Sequence, residues 1–357
     1  MGERILMKGA EAIGEAAIRA GCRHFFGYPI TPQNESPQYM SRRMPEVDGV
    51  FLQAESEVAA VNMIYGCAST GKRVITTSSS PGISLMQEGL SYIAGAEIPL
   101  VVVNVVRGGP GLGDIAPAQC DYFQAVKGGG HGDYHLVVLA PSTIQESVDL
   151  MGVAFDVADK YRNPVMMLSD GLLGQMMEAI EFPPMTDPAT LPHKAWATDG
   201  MQGKRGKNVV NSFDLLPEGL EKMNNKMWAK YPIIERDEVR YEAVMTDDAE
   251  YIFVAYGTVA RIIKTVLKSL RAEGIKVGLF RPITLYPFPK KQLLDLANKP
   301  EVKFFMDIEL SFGQMIEDVQ LATQFKKPIH FYGRQGGMVP APAEIATEFK
   351  KILKEAK

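Results

Sequence analysis

Short runs of β-branched and other apolar residues alternate with longer amphipathic stretches, and this alternation constrains the fold more than any other feature. The apolar runs predict six strands, at Cys22–Phe26, Val50–Gln53, Arg73–Thr77, Ile98–Val106, Leu136–Ala140 and Pro164–Ser169. The stretches between them predict helices at Ser56–Ala68, Ile83–Ala94, Pro117–Lys127 and Thr143–Lys160. Nearly continuous apolar strands that alternate with helices are typical of a parallel sheet buried on both faces. We therefore predict a doubly wound α/β domain over residues 1–182.

The alternation stops at residue 183 and resumes at residue 248. The segment 183–247 is rich in Pro, Asn, Lys, Trp and Asp, so we expect a long inter-domain excursion with some helix near 217–231. Beyond it, strands are predicted at Tyr251–Tyr256, Val277–Phe280, Lys303–Asp307 and Ile329–Tyr332. Helices are predicted between them at Val259–Glu273, Lys290–Lys299 and Gly313–Phe325. Residues 248–357 thus form a second, smaller α/β domain of ordinary size.

Charge and cysteine content exclude several classes of protein. The chain has 38 Lys and Arg against 42 Asp and Glu, whereas a nucleic-acid-binding protein normally has a basic excess. Cys22, Cys67 and Cys120 form no CxxC pair, and an iron–sulfur cluster usually needs four thiolates, so we expect none held by this chain alone. The most apolar run, Ile98–Val106, is half of the ~20 residues that a membrane helix needs. The first 21 residues have helical spacing with three Glu, which predicts a helix and not a secretory signal. We expect a cytoplasmic protein with no membrane partner.

Two glycine-rich segments match nucleotide-binding motifs in part. Gly66-Cys-Ala-Ser-Thr-Gly71-Lys72-Arg73 lacks the final Ser or Thr of a P-loop and follows a helix, which favours a glycine-ended helix C-terminus. Gly111-Leu-Gly113-Asp-Ile-Ala116 fits a loose dinucleotide fingerprint. The following predicted strand ends in Ala140-Pro141 and offers no acid for a ribose. Both patterns therefore favour a structural role.

Unusual residues follow each of the first four predicted strands, where ligands bind in parallel α/β sheets. The first loop is Gly27-Tyr-Pro-Ile-Thr31-Pro32, whose two prolines stiffen it around one hydroxyl, that of Thr31. The second loop leads through Ser56 into Glu57. Ser56 and Glu57 could serve only to cap the next helix. Alternatively, Glu57 is a partly buried carboxylate that faces a cofactor nitrogen.

The third and fourth loops add hydroxyls, glycines and a cation. Ser78-Ser-Ser-Pro-Gly82 opens a helix with many donors, and Arg107-Gly-Gly-Pro-Gly-Leu-Gly-Asp114 allows close approach of a ligand to the backbone. The Arg107 guanidinium could bind a carboxylate or phosphate through two N–H groups. Alternatively, Arg107 is a surface residue that ends a strand. The convergence of four such segments on one edge favours a site.

These segments resemble the α subunit of 2-oxoacid:ferredoxin oxidoreductases, most closely the branched-chain type that acts on 3-methyl-2-oxobutanoate. The resemblance is carried by GYPITP at 27–32, QAESEVAAVNMIYG at 53–66, SSSPGISLM at 78–86 and VVRGGPGLGD at 105–114. VAYGTVARIIKTVLKSLRAEGIKVGLFRPITLYPFP at 254–289 is similar to the transketolase C-terminal domain of this family. The resemblance implies a thiamine-diphosphate pyrimidine-binding domain followed by a transketolase C-terminal-like α/β domain. It also implies oxidative decarboxylation of a 2-oxoacid with CoA and transfer of the electrons to ferredoxin.

The resemblance further implies that other chains complete the enzyme. The Gly-Asp-Gly and following Asn that hold the cofactor's diphosphate and Mg²⁺ in such enzymes are missing, since Ser169-Asp170-Gly171 has no suitable Asn after it. We therefore expect the diphosphate and Mg²⁺ on a β subunit, and [4Fe–4S] clusters on partner chains. The family also has a γ subunit and a ferredoxin-like δ subunit.

Site roles follow from the resemblance position by position. Glu57 matches the family's glutamate that hydrogen-bonds the aminopyrimidine ring. Thr31 matches the threonine that contacts the substrate. Arg107 matches the arginine that holds the substrate carboxylate or the neighbouring coenzyme. Further cofactor contacts are implied at Pro29, Ile30, Ser80 and Pro81.

Several alternatives stay open at this point. Ser80 stands where many relatives have Gly, which favours the branched-chain type over a 2-oxoglutarate or pyruvate enzyme. The β component of a lipoyl-linked 2-oxoacid dehydrogenase is a second alternative. A non-catalytic binding or scaffold subunit is a third.

Overall fold

A computed structural model describes residues 4–355, which contain two parallel sheets flanked by helices and a separate two-stranded ribbon. The strands are β1 Ile5–Lys8, β2 His24–Gly27, β3 Val50–Gln53, β4 Val74–Ser78, β5 Leu100–Val106, β6 Val137–Leu139, β7 Pro164–Asp170, β8 Met177–Ile180, β9 Tyr241–Val244, β10 Tyr251–Val254, β11 Val277–Pro282, β12 Thr284–Tyr286, β13 Phe304–Glu309 and β14 Ile329–Gly333. The helices are α1 Gly9–Arg19, α2 Glu35–Glu46, α3 Glu57–Ser69, α4 Ser80–Gly95, α5 Tyr122–Val126, α6 Ile144–Tyr161, α7 Gly171–Gln175, α8 Pro217–Trp228, α9 Tyr231–Asp237, α10 Gly257–Ala272, α11 Lys290–Ala297, α12 Met315–Thr323 and α13 Pro342–Glu355, with a 3₁₀ turn at Pro188–Thr190.

The first sheet has the strand order β12-β6-β7-β5-β4-β2-β3 and is parallel except for β12. Every residue of β4, β5 and β7 is buried, which explains the largely apolar sequences of β5 and β7. Strand β4 ends in three buried hydroxyl residues, Thr76, Thr77 and Ser78. The chain passes from β2 outward to β3 and returns to β4 on the other side of β2. The carboxyl ends of β2 and β4 therefore flank the point where strand order reverses, the usual ligand crevice of such sheets.

The second sheet has the order β14-β13-β10-β11-β9, with only β9 antiparallel. The doubly wound α/β fold followed by a smaller α/β unit is confirmed. Each sheet has an edge strand from outside its own predicted domain. Strand β9, from the segment predicted as an excursion, pairs with β11 in the second sheet, and β12, from the second unit, pairs with β6 in the first sheet. The boundaries at residues 182 and 247 stay a proposal.

Buried polar contacts join the two units. The Gln119 side chain donates from Nε2 to the Tyr256 carbonyl (3.1 Å) and accepts from the Leu310 amide (3.0 Å). The Arg281 guanidinium forms a two-pronged pair with Glu146 of α6, at 2.5 and 2.8 Å. Burial favours the neutral acid of Glu146, but the hydrogen bonds and charge of Arg281 outweigh it and lower the pKa of Glu146. The Gln119 contacts therefore join the segments that follow β5, β10 and β13.

Local structure differs from the sequence prediction in several places. The amino-terminal helix begins only at Gly9, because residues 5–8 pair with β8 as a strand; the prediction for residues 1–3 lies outside the described residues. The helix predicted over 117–127 shortens to α5, because Pro117 bridges Arg107 and the Gln119 amide bonds to Leu310. Helix α2 was not predicted. Within residues 4–355, no helix is both long and apolar enough to cross a bilayer.

Candidate active site

The loops that follow β2, β3, β4 and β5 meet at the carboxyl edge of the first sheet. The Ala54 amide donates to the Gly27 carbonyl (2.9 Å), which ties the loop before α3 to the end of β2. The Arg107 amide donates to Ser80 Oγ (3.1 Å), which ties the end of β5 to the start of α4. The convergence predicted from the sequence is confirmed.

Glu57 is the first residue of α3 and is only 5% exposed. Ser56 caps this helix, its hydroxyl accepting from the Ala59 amide at 3.2 Å, as the helix-cap interpretation predicted. The helix dipole favours a carboxylate at this end. No hydrogen bond from residues 4–355 reaches the Glu57 carboxylate, so a buried acid faces the crevice with its acceptors free.

Gly82 leaves room beside that carboxylate. A β-carbon at Gly82 would lie 2.5 Å from Glu57 Oε1 and 2.2 Å from Ser78 Oγ, distances that atoms do not adopt without a shift. Ser78 is 0% exposed, and its hydroxyl has no hydrogen-bond partner among the described residues. The glycine therefore forms a shallow cradle lined by two oxygens.

Arg107 is 6% exposed and joins two of the loops. Its Nη1 donates to the Thr31 carbonyl (2.8 Å) and its Nη2 to the Leu112 carbonyl (2.9 Å), while the buried Nε has no partner among residues 4–355. Two of the five guanidinium N–H groups are thus used to hold backbone, and the others stay free for a ligand. Arg107 therefore holds the Thr31 and Leu112 loops together and is also a candidate for contact with an anion.

The first loop is fixed from beneath. The buried Gln33 side chain accepts from Thr77 Oγ1 and donates to the Tyr28 carbonyl (3.3 Å). Thr31 Oγ1 accepts from Asn34 Nδ2 at 3.2 Å and keeps its own proton free. Thr31 and Ile30 are half-buried and Pro29 is exposed, with Thr31 bonded to Arg107 through its carbonyl. The structure brings Thr31, Ser80 and Arg107 together; Pro29, Ile30 and Pro81 stay predicted contacts in the same loops.

A cleft of about 620 Å³ opens beside Ser80 and Pro81, between the two units. It is lined from the first unit by Gly108–Gly111, Cys120 and Asp121, and from the second by Leu310–Phe312, Gln314 and Gln335. Burial raises the pKa of the Cys120 thiol to about 11, so it is protonated at neutral pH.

The second unit's contribution to the cleft was not predicted. Ser311 and Phe312 directly follow β13, and Phe312 is 86% exposed. The rule applied to the first sheet, that the segment after each strand bears function, finds them when applied to the second sheet.

The residues present fit the pyrimidine end of thiamine diphosphate. A buried carboxylate with free acceptors, an unpartnered hydroxyl and a glycine that puts no side chain between them suit the polar nitrogens of a flat ring. Asp170, in the segment nearest to a Gly-Asp-Gly motif, is used within the chain: its Oδ1 accepts from the Leu172 and Leu173 amides and caps α7. Among residues 4–355, no three His, Cys, Asp or Glu side chains gather where they could hold a metal ion.

The two nucleotide-like motifs have the structural roles that the sequence favoured. Gly71 has a φ of +83° and its amide bonds to the Ala68 carbonyl, which ends α3, while Lys72 is exposed. The 111–116 segment supplies the Leu112 carbonyl that holds Arg107. Neither segment opens a helix toward a phosphate.

Comparison with known proteins finds matches along most of the chain. Residues 15–209 match the family described as "Pyruvate flavodoxin/ferredoxin oxidoreductase, thiamine diP-bdg", and residues 249–345 match "Pyruvate:ferredoxin oxidoreductase core domain II". The ketoisovalerate oxidoreductase subunit VorB of Methanothermobacter marburgensis is 47% identical over 351 residues, with 98% of each chain covered. The 2-oxoglutarate synthase subunit KorA of Methanocaldococcus jannaschii is 33% identical, covering 95% of this chain and 97% of its own.

Two solved structures resemble the fold. The 2-oxoglutarate:ferredoxin oxidoreductase from Magnetococcus marinus, solved with 2-oxoglutarate, coenzyme A and succinyl-CoA bound, superposes with a TM-score of 0.83 at 27% identity; the match covers all of this chain and 66% of that one. A split-gene transketolase superposes with a TM-score of 0.60 at 12% identity, covering all of both chains, and shows the fold alone.

Proposed function

The chain belongs to the 2-oxoacid:ferredoxin oxidoreductase family, and from this premise we propose that it is the catalytic α subunit of an enzyme that oxidatively decarboxylates a branched-chain 2-oxoacid, 3-methyl-2-oxobutanoate. The products are CO₂ and the acyl-CoA, with electrons passing to ferredoxin. The observation that carries the proposal is the buried Glu57 carboxylate facing the Gly82 cradle. The branched-chain substrate is supported by the 47% identity to a ketoisovalerate oxidoreductase subunit against 33% to a 2-oxoglutarate synthase subunit.

Glu57 is the residue that activates the coenzyme. Thiamine diphosphate, when bound, would supply the nucleophile and the electron sink for decarboxylation of the 2-oxoacid. The Glu57 carboxylate receives a hydrogen bond from the aminopyrimidine ring and so favours movement of a proton onto and off that ring. Because Glu57 is 5% exposed at the start of α3, little of its side chain contacts water.

Arg107 and Thr31 hold the substrate. The free guanidinium N–H groups of Arg107 point a fixed cation at a carboxylate, and the Thr31 hydroxyl keeps a proton to donate. Because Arg107 also holds the Thr31 carbonyl, the two contacts are set at a constant spacing. Pro29, Ile30, Ser80 and Pro81 line the coenzyme side of the same loops.

Partner chains complete the site. We place the diphosphate and Mg²⁺ on a β subunit and the [4Fe–4S] clusters on further chains, including γ and ferredoxin-like δ subunits, in a cytoplasmic complex. Helix α3 is largely apolar yet exposes Val58, the neighbour of Glu57, and Met63 further along the helix, and α4 exposes Leu85. A largely apolar helix is normally covered, so this surface suits the β subunit.

The test is Glu57→Gln in the assembled complex. Gln keeps the size but cannot hold the charge, so we expect 2-oxoacid-dependent viologen reduction to fall at least a hundredfold. The matched control is Glu55→Gln, the same change on an exposed neighbour, which should keep wild-type turnover. Wild-type turnover of the Glu57→Gln complex would overturn the catalytic assignment and favour a scaffold subunit.

The substrate is tested separately. Acyl-CoA formation from 3-methyl-2-oxobutanoate should exceed that from 2-oxoglutarate or pyruvate in kcat/KM. Hydrophobic pockets discriminate by roughly 1–3 kcal/mol per methylene, so we expect a preference of at least tenfold. A preference for 2-oxoglutarate would contradict the branched-chain assignment. Failure to reduce viologen unless a lipoyl protein is added would point to the lipoyl-linked alternative.

A further inference from the structure

The Ser78 hydroxyl is buried but forms no hydrogen bond with the described residues. Ser78 is the last residue of β4 and is 0% exposed, and its Oγ has no hydrogen-bond partner among residues 4–355. Burial of an unpaired hydroxyl disfavours folding, and an alanine of similar size would avoid that penalty. A hydroxyl retained at such a place suggests a role that appears only when a ligand is bound.

This hydroxyl and the Glu57 carboxylate face the same gap. The position that a Gly82 β-carbon would take is 2.2 Å from Ser78 Oγ and 2.5 Å from Glu57 Oε1. The three atoms nearest to that position all belong to Ser78 and Glu57, yet the two oxygens form no hydrogen bond in this conformation. A small rotation of either side chain into the gap brings donor and acceptor together.

We propose that Ser78 is a positioning residue for Glu57. With the coenzyme ring in the crevice, the Ser78 hydroxyl donates to the Glu57 carboxylate oxygen that the ring does not use. This bond fixes the direction of the carboxylate, so that its other oxygen meets the ring at a constant angle. The inference rests on the proposed function of Glu57. It adds that Ser78, at the end of β4, sets the orientation of the Glu57 carboxylate.

A competing partner for Ser78 is Asn104, its in-register neighbour on β5, whose Oδ1 also lacks a hydrogen bond. Asn104 is already held by its Nδ2, which donates to Asp121 Oδ2 at 2.9 Å. No atom of Asn104 is among the three nearest to the gap at Gly82. Glu57 is therefore the partner that the geometry favours.

Thr76 provides a matched control. It lies two residues earlier on β4, so its side chain points to the same face, and it is also buried with an unpaired hydroxyl. Its Oγ1 lies 3.6 Å from the position of a Gly27 β-carbon, at the end of β2 and away from the Gly82 cradle. Thr76→Val removes the same group without touching the Glu57 gap.

The experiment compares Ser78→Ala, Thr76→Val and wild type as assembled complexes. Three quantities are measured: the melting temperature without coenzyme, the Kd for thiamine diphosphate with Mg²⁺ by calorimetry, and the exchange of the coenzyme's C2 proton for deuterium by NMR. For Ser78→Ala we expect an unchanged or higher melting temperature, with Kd raised and exchange slowed about tenfold. Thr76→Val should leave Kd and exchange unchanged. A purely structural Ser78 would instead lower the melting temperature and leave both coenzyme measurements intact.

The outcomes separate this proposal from the proposed function. If Ser78→Ala exchanges at the wild-type rate while Glu57→Gln is inactive, Ser78 is not a positioning residue and the function of Glu57 stands. If Glu57→Gln is also active, the proposed function itself fails. Should Ser78→Ala not assemble, Ser78→Cys preserves the volume with a weaker donor and should slow exchange less than tenfold but measurably; wild-type exchange in that variant would overturn the proposal.

Discussion

Gly82 of α4 lies so close to the Glu57 carboxylate of α3 that a β-carbon there would be 2.5 Å from Oε1. Two helices that follow different strands therefore meet at the one residue type that leaves the acid accessible. The contact lies where strand order reverses in the first sheet, between β2 and β4. The position of the proposed coenzyme site thus depends on sheet topology as well as on the side chains.

Gly82→Ala should abolish coenzyme-dependent activity. The added methyl group meets Ser78 Oγ and Glu57 Oε1, so it displaces the carboxylate and fills the cradle. We expect at least a hundredfold loss of 2-oxoacid oxidation. The control is Gly152→Ala in α6, where a β-carbon meets no atom within 4 Å; it should keep activity and stabilise the helix by up to about 1 kcal/mol. Activity in Gly82→Ala within threefold of wild type would refute the cradle.

Arg107→Lys should impair use of the substrate more than folding. Lysine cannot hold the Thr31 and Leu112 carbonyls together and still present a fork to a carboxylate. We expect KM for the 2-oxoacid to rise and kcat to fall, each about tenfold or more. Steady-state kinetics check this against Arg236→Lys, an exposed arginine paired with Asp237, which should behave like wild type. Unchanged KM and kcat would remove Arg107 from the site.

The bond between Glu146 and Arg281 should make the joining of the two units sensitive to acid. Since Arg281 lowers the pKa of Glu146 below its ordinary 4.5, the carboxylate's stabilisation is complete above about pH 4.5 and is lost as pH falls through the lowered value. Glu146→Gln should cost about 1.5–3 kcal/mol at pH 7. The difference from wild type should shrink below pH 4.5.

Thermal unfolding at a series of pH values measures this effect. The control is Asp295→Asn, which breaks the exposed pair with Lys291 and should change stability by less than about 1 kcal/mol. A Glu146→Gln deficit that stays constant down to pH 3 would mean that the carboxylate's ionisation plays no part.

Much of the fold could be predicted because its central strands are buried on both faces. The central strands were predicted at Arg73–Thr77 and Pro164–Ser169, within one residue of their observed bounds. Val50–Gln53 was predicted with its observed bounds although it is a mostly exposed edge strand. The other edge elements were less predictable. Among the described strands, β1 and β8 pair only with each other, and β9 and β12 pair with strands far away in the sequence, so no local period marks them.

The site was predictable from position, and its internal contacts were not. Residues after strands share an edge whatever their side chains, which placed Thr31, Ser80 and Arg107 together. The hydrogen bond from Arg107 to the Leu112 carbonyl depends on the path of a loop. The close approach of Gly82 to Glu57 depends on the distance between two helices. Periodic patterns in the sequence report neither the path nor the distance.

The central claim is that this chain holds the pyrimidine half of a thiamine-diphosphate site and that a partner holds the rest. Calorimetric titration of thiamine diphosphate with Mg²⁺, into the chain alone and into the assembled complex, measures it directly. We predict saturable binding to the complex and at least a hundredfold weaker binding to the chain alone. Equal affinity in the two titrations would contradict the claim.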